Sequence, residues 1–262
     1  MIKLDKVSVS LSSRQVVSSL SFEARPGAVT AIIGPNGSGK TTTLRAISGE
    51  RQYTGKIHVA DRDLKSMKAG ELALERAVLA QSVSLGFPFR VREILEMGIV
   101  AGDVRSRDEA EAVMSAALDA VDLAGFENRV ATALSGGEQA RMHMARVLCQ
   151  ISTPTRDGRA RWLLLDEPVA SLDVKHQLAI MALAQSFARS GGGVIAVLHD
   201  LNLTAMFADH IVMMKEGRLL AAGSPAEVLT EANLAAVYGC ALAVQHDPAT
   251  GQIRIFPPQL AA

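Results

Sequence analysis

Cysteine, net charge and long apolar runs are all scarce in this chain, and each shortage excludes something. Only two cysteines, Cys149 and Cys240, occur in 262 residues, and they lie far apart. No disulfide framework can rest on them, which suits a reducing compartment and points to the cytoplasm. Lysine plus arginine equals aspartate plus glutamate at 27 each. No strong field therefore draws the chain to nucleic acid or to an anionic lipid surface, and no nucleic-acid partner is expected. No stretch reaches the ~20 apolar residues of a membrane span, so any membrane role must be borrowed from a partner. The start, Met1-Ile2-Lys3-Leu4-Asp5-Lys6, alternates like a strand and lacks the apolar centre of a secretory signal. Internal repeats and low-complexity tracts are absent too. What the chain does have is core material, with 48% apolar residues, enough for one large domain or two modest ones.

The stretch that organises the rest is Gly34-Pro35-Asn36-Gly37-Ser38-Gly39-Lys40-Thr41, with Thr42 behind it. It follows the apolar run Val29 to Ile33, which reads as a buried strand, and leads into Thr42 to Ile47, which reads as a helix. This is the spacing of a phosphate-binding loop. Its three glycines let consecutive N–H groups converge on one point, and the helix start adds its own N–H groups and the positive end of its dipole. Lys40 is placed to reach terminal phosphates, and the Thr41 hydroxyl to sit on a Mg²⁺ ion bridging two of them.

Around that loop the pattern mixes strands and helices. Ile2 to Val9 and Leu20 to Ala24 alternate like strands, and Ala77 to Ala80 reads as a buried strand ending on Gln81. From Val83 to about Ile151 apolar residues recur at three and four spacing, in Val91 to Val100, Asp108 to Val121 and Gly137 to Leu148, which predicts an inserted helical subdomain. Strand patterns return at Trp162 to Leu165, Val194 to Leu198 and Ile211 to Met214, and their alternation with helices implies a mostly parallel sheet. Pro225 to Tyr238 predicts two short helices, and Ala243 to His246 with Ile253 to Phe256 a terminal hairpin. The expected division is a nucleotide-binding core in 1–82 and 152–225, a helical subdomain in 83–151 and a C-terminal extension in 226–262.

Two further places carry chemistry. Trp162 to Leu165 runs into Asp166-Glu167, and side chains alternate along a strand, so the two carboxylates should point apart and do different work. Asp166 is assigned to the metal side and Glu167 to the general base that deprotonates the attacking water. In Leu134-Ser135-Gly136-Gly137-Glu138 the serine suits a helix N-cap, and the glycines open a helix start to an anion.

Taken in order, Gly34 to Thr41, Gln81, Leu134 to Glu138, Asp166 with Glu167, Ser171-Leu172-Asp173 and His199 resemble the motif set of the ATP-binding cassette (ABC) transporter ATPases over about residues 1 to 225. The resemblance implies an α/β P-loop NTPase (RecA-like) core with a mostly parallel sheet, an antiparallel N-terminal part and the inserted helical subdomain. It also implies a head-to-tail dimer, in which each ATP lies between the phosphate loop of one copy and Ser135 to Gly137 of the other. Gln81 then joins the Mg²⁺ shell, Asp173 communicates across the dimer, and His199 contacts the terminal phosphate. Two anion-seeking helix starts but one carboxylate pair per chain agree with such a two-fold arrangement.

Phe87-Pro88-Phe89, Val91-Arg92-Glu93, Glu96-Met97-Gly98, Leu198 to Leu203 and Tyr238-Gly239 resemble the ATPases of importers for iron chelates, cobalamin and heme, and the lengthening at Ser152 to Arg161 is similar to the heme branch. That lengthening is expected to be a surface loop. Phe87 and Phe89 are either a docking surface for the membrane permease or simply core. The likeness implies a peripheral protein on the cytoplasmic face of the inner membrane, served indirectly by a periplasmic substrate-binding protein, with no residue of this chain touching heme. The alternative is a soluble ABC-type ATPase of an assembly or repair process. One departure stands out: Val9 to Val16 has no aromatic residue to stack on adenine, leaving Leu11, Arg14 or Val16. Loss of a stacking contact of roughly 1–3 kcal/mol predicts modest base selectivity.

Overall fold

The computed structural model describes residues 1–81 and 86–257. The expected helical stretch from Val83 thus begins outside the described residues, as does the end of the C-terminal extension.

In chain order the elements are β1 (Ile2–Leu11), β2 (Arg14–Ala24), β3 (Val29–Ile33), α1 (Lys40–Ile47), β4 (Thr54–Val59), β5 (Arg62–Asp63), α2 (Ala69–Glu75), β6 (Arg76–Leu79) and α3 (Val91–Ala101). There follow α4 (Arg107–Ala120), α5 (Gly136–Gln150), β7 (Thr155–Arg156), β8 (Arg159–Ala160), β9 (Trp162–Asp166), α6 (Val174–Arg189) and β10 (Gly193–Val197). The chain ends with α7 (Leu201–Phe207), β11 (His210–Lys215), β12 (Arg218–Gly223), α8 (Pro225–Val228), α9 (Glu231–Tyr238), β13 (Ala243–His246) and β14 (Ile253–Phe256). Contacts gather the chain into two units, Met1–Ser66 with Ile195–Ala262, and Met67–Val194.

The first unit holds an antiparallel sheet in the order β2-β1-β4-β5. Ile2, Leu4, Val7 and Val9 of β1 are buried, with polar neighbours facing out. This half-buried alternation is what an antiparallel sheet with one wet face requires. Strand β3 differs, with all five residues buried. It pairs in parallel with β11, from His210 against Thr30 to Met213 against Ile33, and β12 adds an antiparallel edge to β11.

In the second unit β6 and β9 pair in parallel, from Arg76 against Trp162 to Leu79 against Leu165. Helices α3, α4 and α5 match the three periodic stretches to within a few residues. Ile94, Leu95, Met114, Leu118, Met144 and Val147 form their buried stripes. The Gln150 amide at the end of α5 donates to Ala73 O at 2.8 Å and Arg76 O at 3.1 Å, tying that helix to α2 and β6.

The expected loop at Ser152 to Arg161 departs from its reading. It contains the small hairpin β7–β8, and its last residue, Arg161, is fully buried. The Arg161 guanidinium pairs with Asp103 at 2.7 Å and donates to Leu74 O at 3.0 Å and Thr153 Oγ1 at 3.1 Å. A buried cation persists only with such partners. Among the described residues, no helix is long and apolar enough to cross a membrane.

Candidate functional site

In the first unit, β3 delivers the chain to Gly34, whose φ of +147° and closeness to Met214 O exclude any side chain. The loop closes with Ser38 N donating to Pro35 O at 3.2 Å. Gly39, with φ at +96°, is the N-cap of α1 and brings no side-chain acceptor, so no cap competes with an anion at that helix start. Lys40 is buried, its ammonium donating to Gly34 O at 2.8 Å and Pro35 O at 3.0 Å. The Ser38 hydroxyl is buried in the same loop with no partner. An orphaned hydroxyl in a glycine-rich loop at a helix start fits a phosphate, because a buried polar atom normally has a partner.

His199 lies exposed just past β10, and the preceding Leu198 N–H donates to Ile32 O at 3.2 Å. The histidine therefore sits beside the strand from which the phosphate loop springs. Asp200 fixes the turn after it, its Oδ1 accepting from Asn202 N at 2.8 Å and Leu203 N at 2.9 Å. At the β1–β2 turn Leu11 and Arg14 are exposed and Val16 is half-buried. A Cβ at Gly39 would come within 3.0 Å of Val16 O, so β2 lies against the loop.

In the second unit, Asp166 is buried at the end of β9, while Glu167 is half-buried with φ at +53°. The strand stops between them. Glu167 is aimed by a left-handed turn and not by strand alternation, and both carboxylates line one cleft of about 220 Å³. Gln81, Gly136, Gln139 and His143 line it as well. His143 is buried with neither ring nitrogen partnered. Burial, and then the charge of Arg146, push its pKa down to about 4. His143 was not singled out from the sequence; the signal was its place on one helix face with Gly136, Gln139 and Ala140.

Ser135 is exposed and caps α5 through a reciprocal box: Glu138 N donates to Ser135 Oγ at 3.3 Å, and Glu138 Oε2 accepts from Ser135 N at 2.7 Å. The Ser135 hydroxyl, which donates to Glu138 Oε2 at 2.7 Å, and then the Ser135 N–H hold the Glu138 carboxyl below its usual range. Leu134 is buried beneath, Gly136 is open, and Gly137 faces Ser171 O so closely that a Cβ would meet it at 3.2 Å. Asp173 caps α6, accepting from His176 N at 2.9 Å. Phe87 is 70% exposed and thus not core; it meets half-buried Phe89 edge-on, with ring centroids 6.1 Å apart. Of the expected site residues, Gly34 to Thr42 and His199 belong to the first unit. Gln81, Leu134 to Glu138, Asp166, Glu167 and Asp173 belong to the second.

A family model described as ABC transporter matches residues 17–170. The chain is 55% identical over 251 residues to the hemin import ATP-binding protein HmuV of Rhizobium johnstonii, covering 96% of this chain and 95% of that protein. It is 50% identical over 262 residues to the protein of the same name from Jannaschia sp., covering 100% and 95%. Among solved structures, a dimeric bacterial ABC transporter cassette superposes with a TM-score of 0.75 at 26% identity, covering 86% of this chain and 99% of that one. A metal-chelate type ABC transporter in an inward-facing conformation gives 0.77 at 22% identity, covering 97% and 95%.

Proposed function

The chain belongs to the ABC transporter family, and from that premise we propose that it is the ATP-binding and ATP-hydrolysing subunit that drives import of hemin through a membrane permease. The observation that carries the reading is the glycine-rich loop at the start of α1, where Lys40 is buried and the Ser38 hydroxyl lacks a partner, which supports a bound anion there. Gly34 to Thr42 hold the phosphates of ATP, and His199 contacts the terminal one. Thr41, Gln81 and Asp166 are oxygen donors of the kind a Mg²⁺ ion takes. When bound, that ion neutralises charge on the phosphates. Glu167 takes the proton of the attacking water. Leu134 to Glu138 and Asp173 serve the nucleotide of a second, head-to-tail copy, a reading supported by the exposure of Ser135 and the open space at Gly136.

The permease surface is assigned to the exposed Phe87 with Met97 and Val100 on the outer face of α3. An apolar anchor within a polar rim suits a protein interface. Docking there keeps the chain at the cytoplasmic face of the inner membrane, and a periplasmic binding protein supplies the cargo from the other side.

The test is reconstitution with the permease in liposomes. ATP should drive hemin uptake, and Glu167→Gln should slow hydrolysis by about 10²–10⁴ while leaving ATP binding intact. Turnover that survives this substitution refutes the assignment of the base. Uptake of a different chelate in place of hemin refutes the cargo alone.

A further inference from the structure

The elements assigned to the partner's nucleotide, the start of α5 and the turn before α6, are joined by side chains that no motif includes. His176 stands on the first turn of α6. Its Nδ1 meets Asp173 Oδ1 at 2.8 Å and its Nε2 faces Asp122 Oδ2 at 3.4 Å. Asp122 is also held by Lys175 Nζ at 3.0 Å. Its backbone is gripped by α5, because Arg141 Nη1 donates to Val121 O at 2.8 Å and Asp122 O at 2.6 Å. A continuous polar path thus runs from Arg141, five residues past Gly136, through Asp122 and His176 to Asp173. A second link runs beneath it. Gly137 rests against Ser171 O, and Gln177 Nε2 donates to Leu172 O at 3.0 Å.

The imidazole is the packed member, 18% exposed, whereas the two carboxylates are about two-thirds exposed. The neighbouring N–H and ammonium groups hold both acids below their usual range. For Asp173 the His176 backbone N–H comes first, and for Asp122 the Lys175 ammonium. Exposed ion pairs of this kind add little to global stability. A bridge between two elements instead restricts how they move against each other, and ordering them beforehand lowers what association must pay in lost freedom.

We propose that His176 is a positioning residue that locks the α5 start and Asp173 into one body, so that both reach a second copy in register. The inference rests on the two-copy reading above. Of the two ring contacts the one to Asp173, at 2.8 Å, is shorter than the one to Asp122, at 3.4 Å, and so the firmer.

The test uses the full chain carrying Glu167→Gln, with ATP-driven dimerisation followed by sedimentation. His176→Ala should weaken dimerisation by roughly fivefold or more, since each two-fold dimer contains two such bridges, and the melting midpoint without ATP should stay close to the parent's. Asp122→Ala should weaken it comparably, and the double variant no more than either alone. His176→Asn keeps a donor beside Asp173 but is too short for Asp122. It should melt like the parent and dimerise like His176→Ala, which also covers failure of the alanine variant to fold. Additive effects of Asp122→Ala and His176→Ala, or parent-like dimerisation of His176→Asn, overturn the inference and leave the two-copy reading standing. A parent that stays monomeric in saturating ATP overturns both.

Discussion

Replacing His143 by leucine should flatten the acid limb of the stability profile. In the folded chain His143 is 7% exposed and its ring nitrogens have no partner, so burial penalises the charged ring and its pKa falls from 6.5 to about 4. The unfolded chain binds this proton below about pH 6.5, but the folded chain does not until about pH 4. Between those values the unfolded state carries more protons, and stability falls as the pH falls. At about 1.4 kcal/mol per pH unit the loss is on the order of 3 kcal/mol once pH is below 4, and about 2 kcal/mol is already gone at pH 5. Urea unfolding of the parent and of His143→Leu at pH 7.5 and pH 5 isolates this, because the two proteins differ at that ring alone. The parent should lose about 2 kcal/mol more than the variant over that interval. Equal losses would mean that the ring is not buried uncharged, and the account of the cleft would be wrong.

Three other outcomes follow from separate places in the molecule. With no aromatic residue between Val9 and Val16, GTP should compete with ATP to within about tenfold in a hydrolysis assay, and strong rejection of GTP would contradict the lost stacking contact. Asp103→Ala leaves the fully buried Arg161 without its carboxylate. It should cost about 2–4 kcal/mol in chemical unfolding, less than for a fully buried pair because Asp103 touches water. Gly34→Ala forces a side chain into a left-handed position against Met214 O; nucleotide binding measured by calorimetry should be lost, and retained affinity would show that the loop can shift.

Much of the fold was legible because its signals are contiguous. The phosphate loop needs one strand, three glycines and one helix start, all between Val29 and Ile47, and backbone geometry over so few residues is set by those residues themselves. The helical stretches and the terminal hairpin were legible for the same reason, since period and turn chemistry act locally. The reading of Ser152 to Arg161 as a loop missed the burial of Arg161. Its composition is that of a turn, while its fate is decided by Asp103, which no local pattern connects to it.

The order of motifs was thus fixed by the chain alone: where the glycine loop follows a strand, which carboxylates end a strand, and which helices open on glycine. Packing decided the rest. It turned Glu167 into a left-handed conformation that lines the Asp166 cleft, left His143 without a partner inside it, and set His176 between Asp173 and an Asp122 that lies 54 residues away. Such contacts depend on how helices seat against one another, a sum of many small dispersion and burial terms that no single stretch of sequence contains.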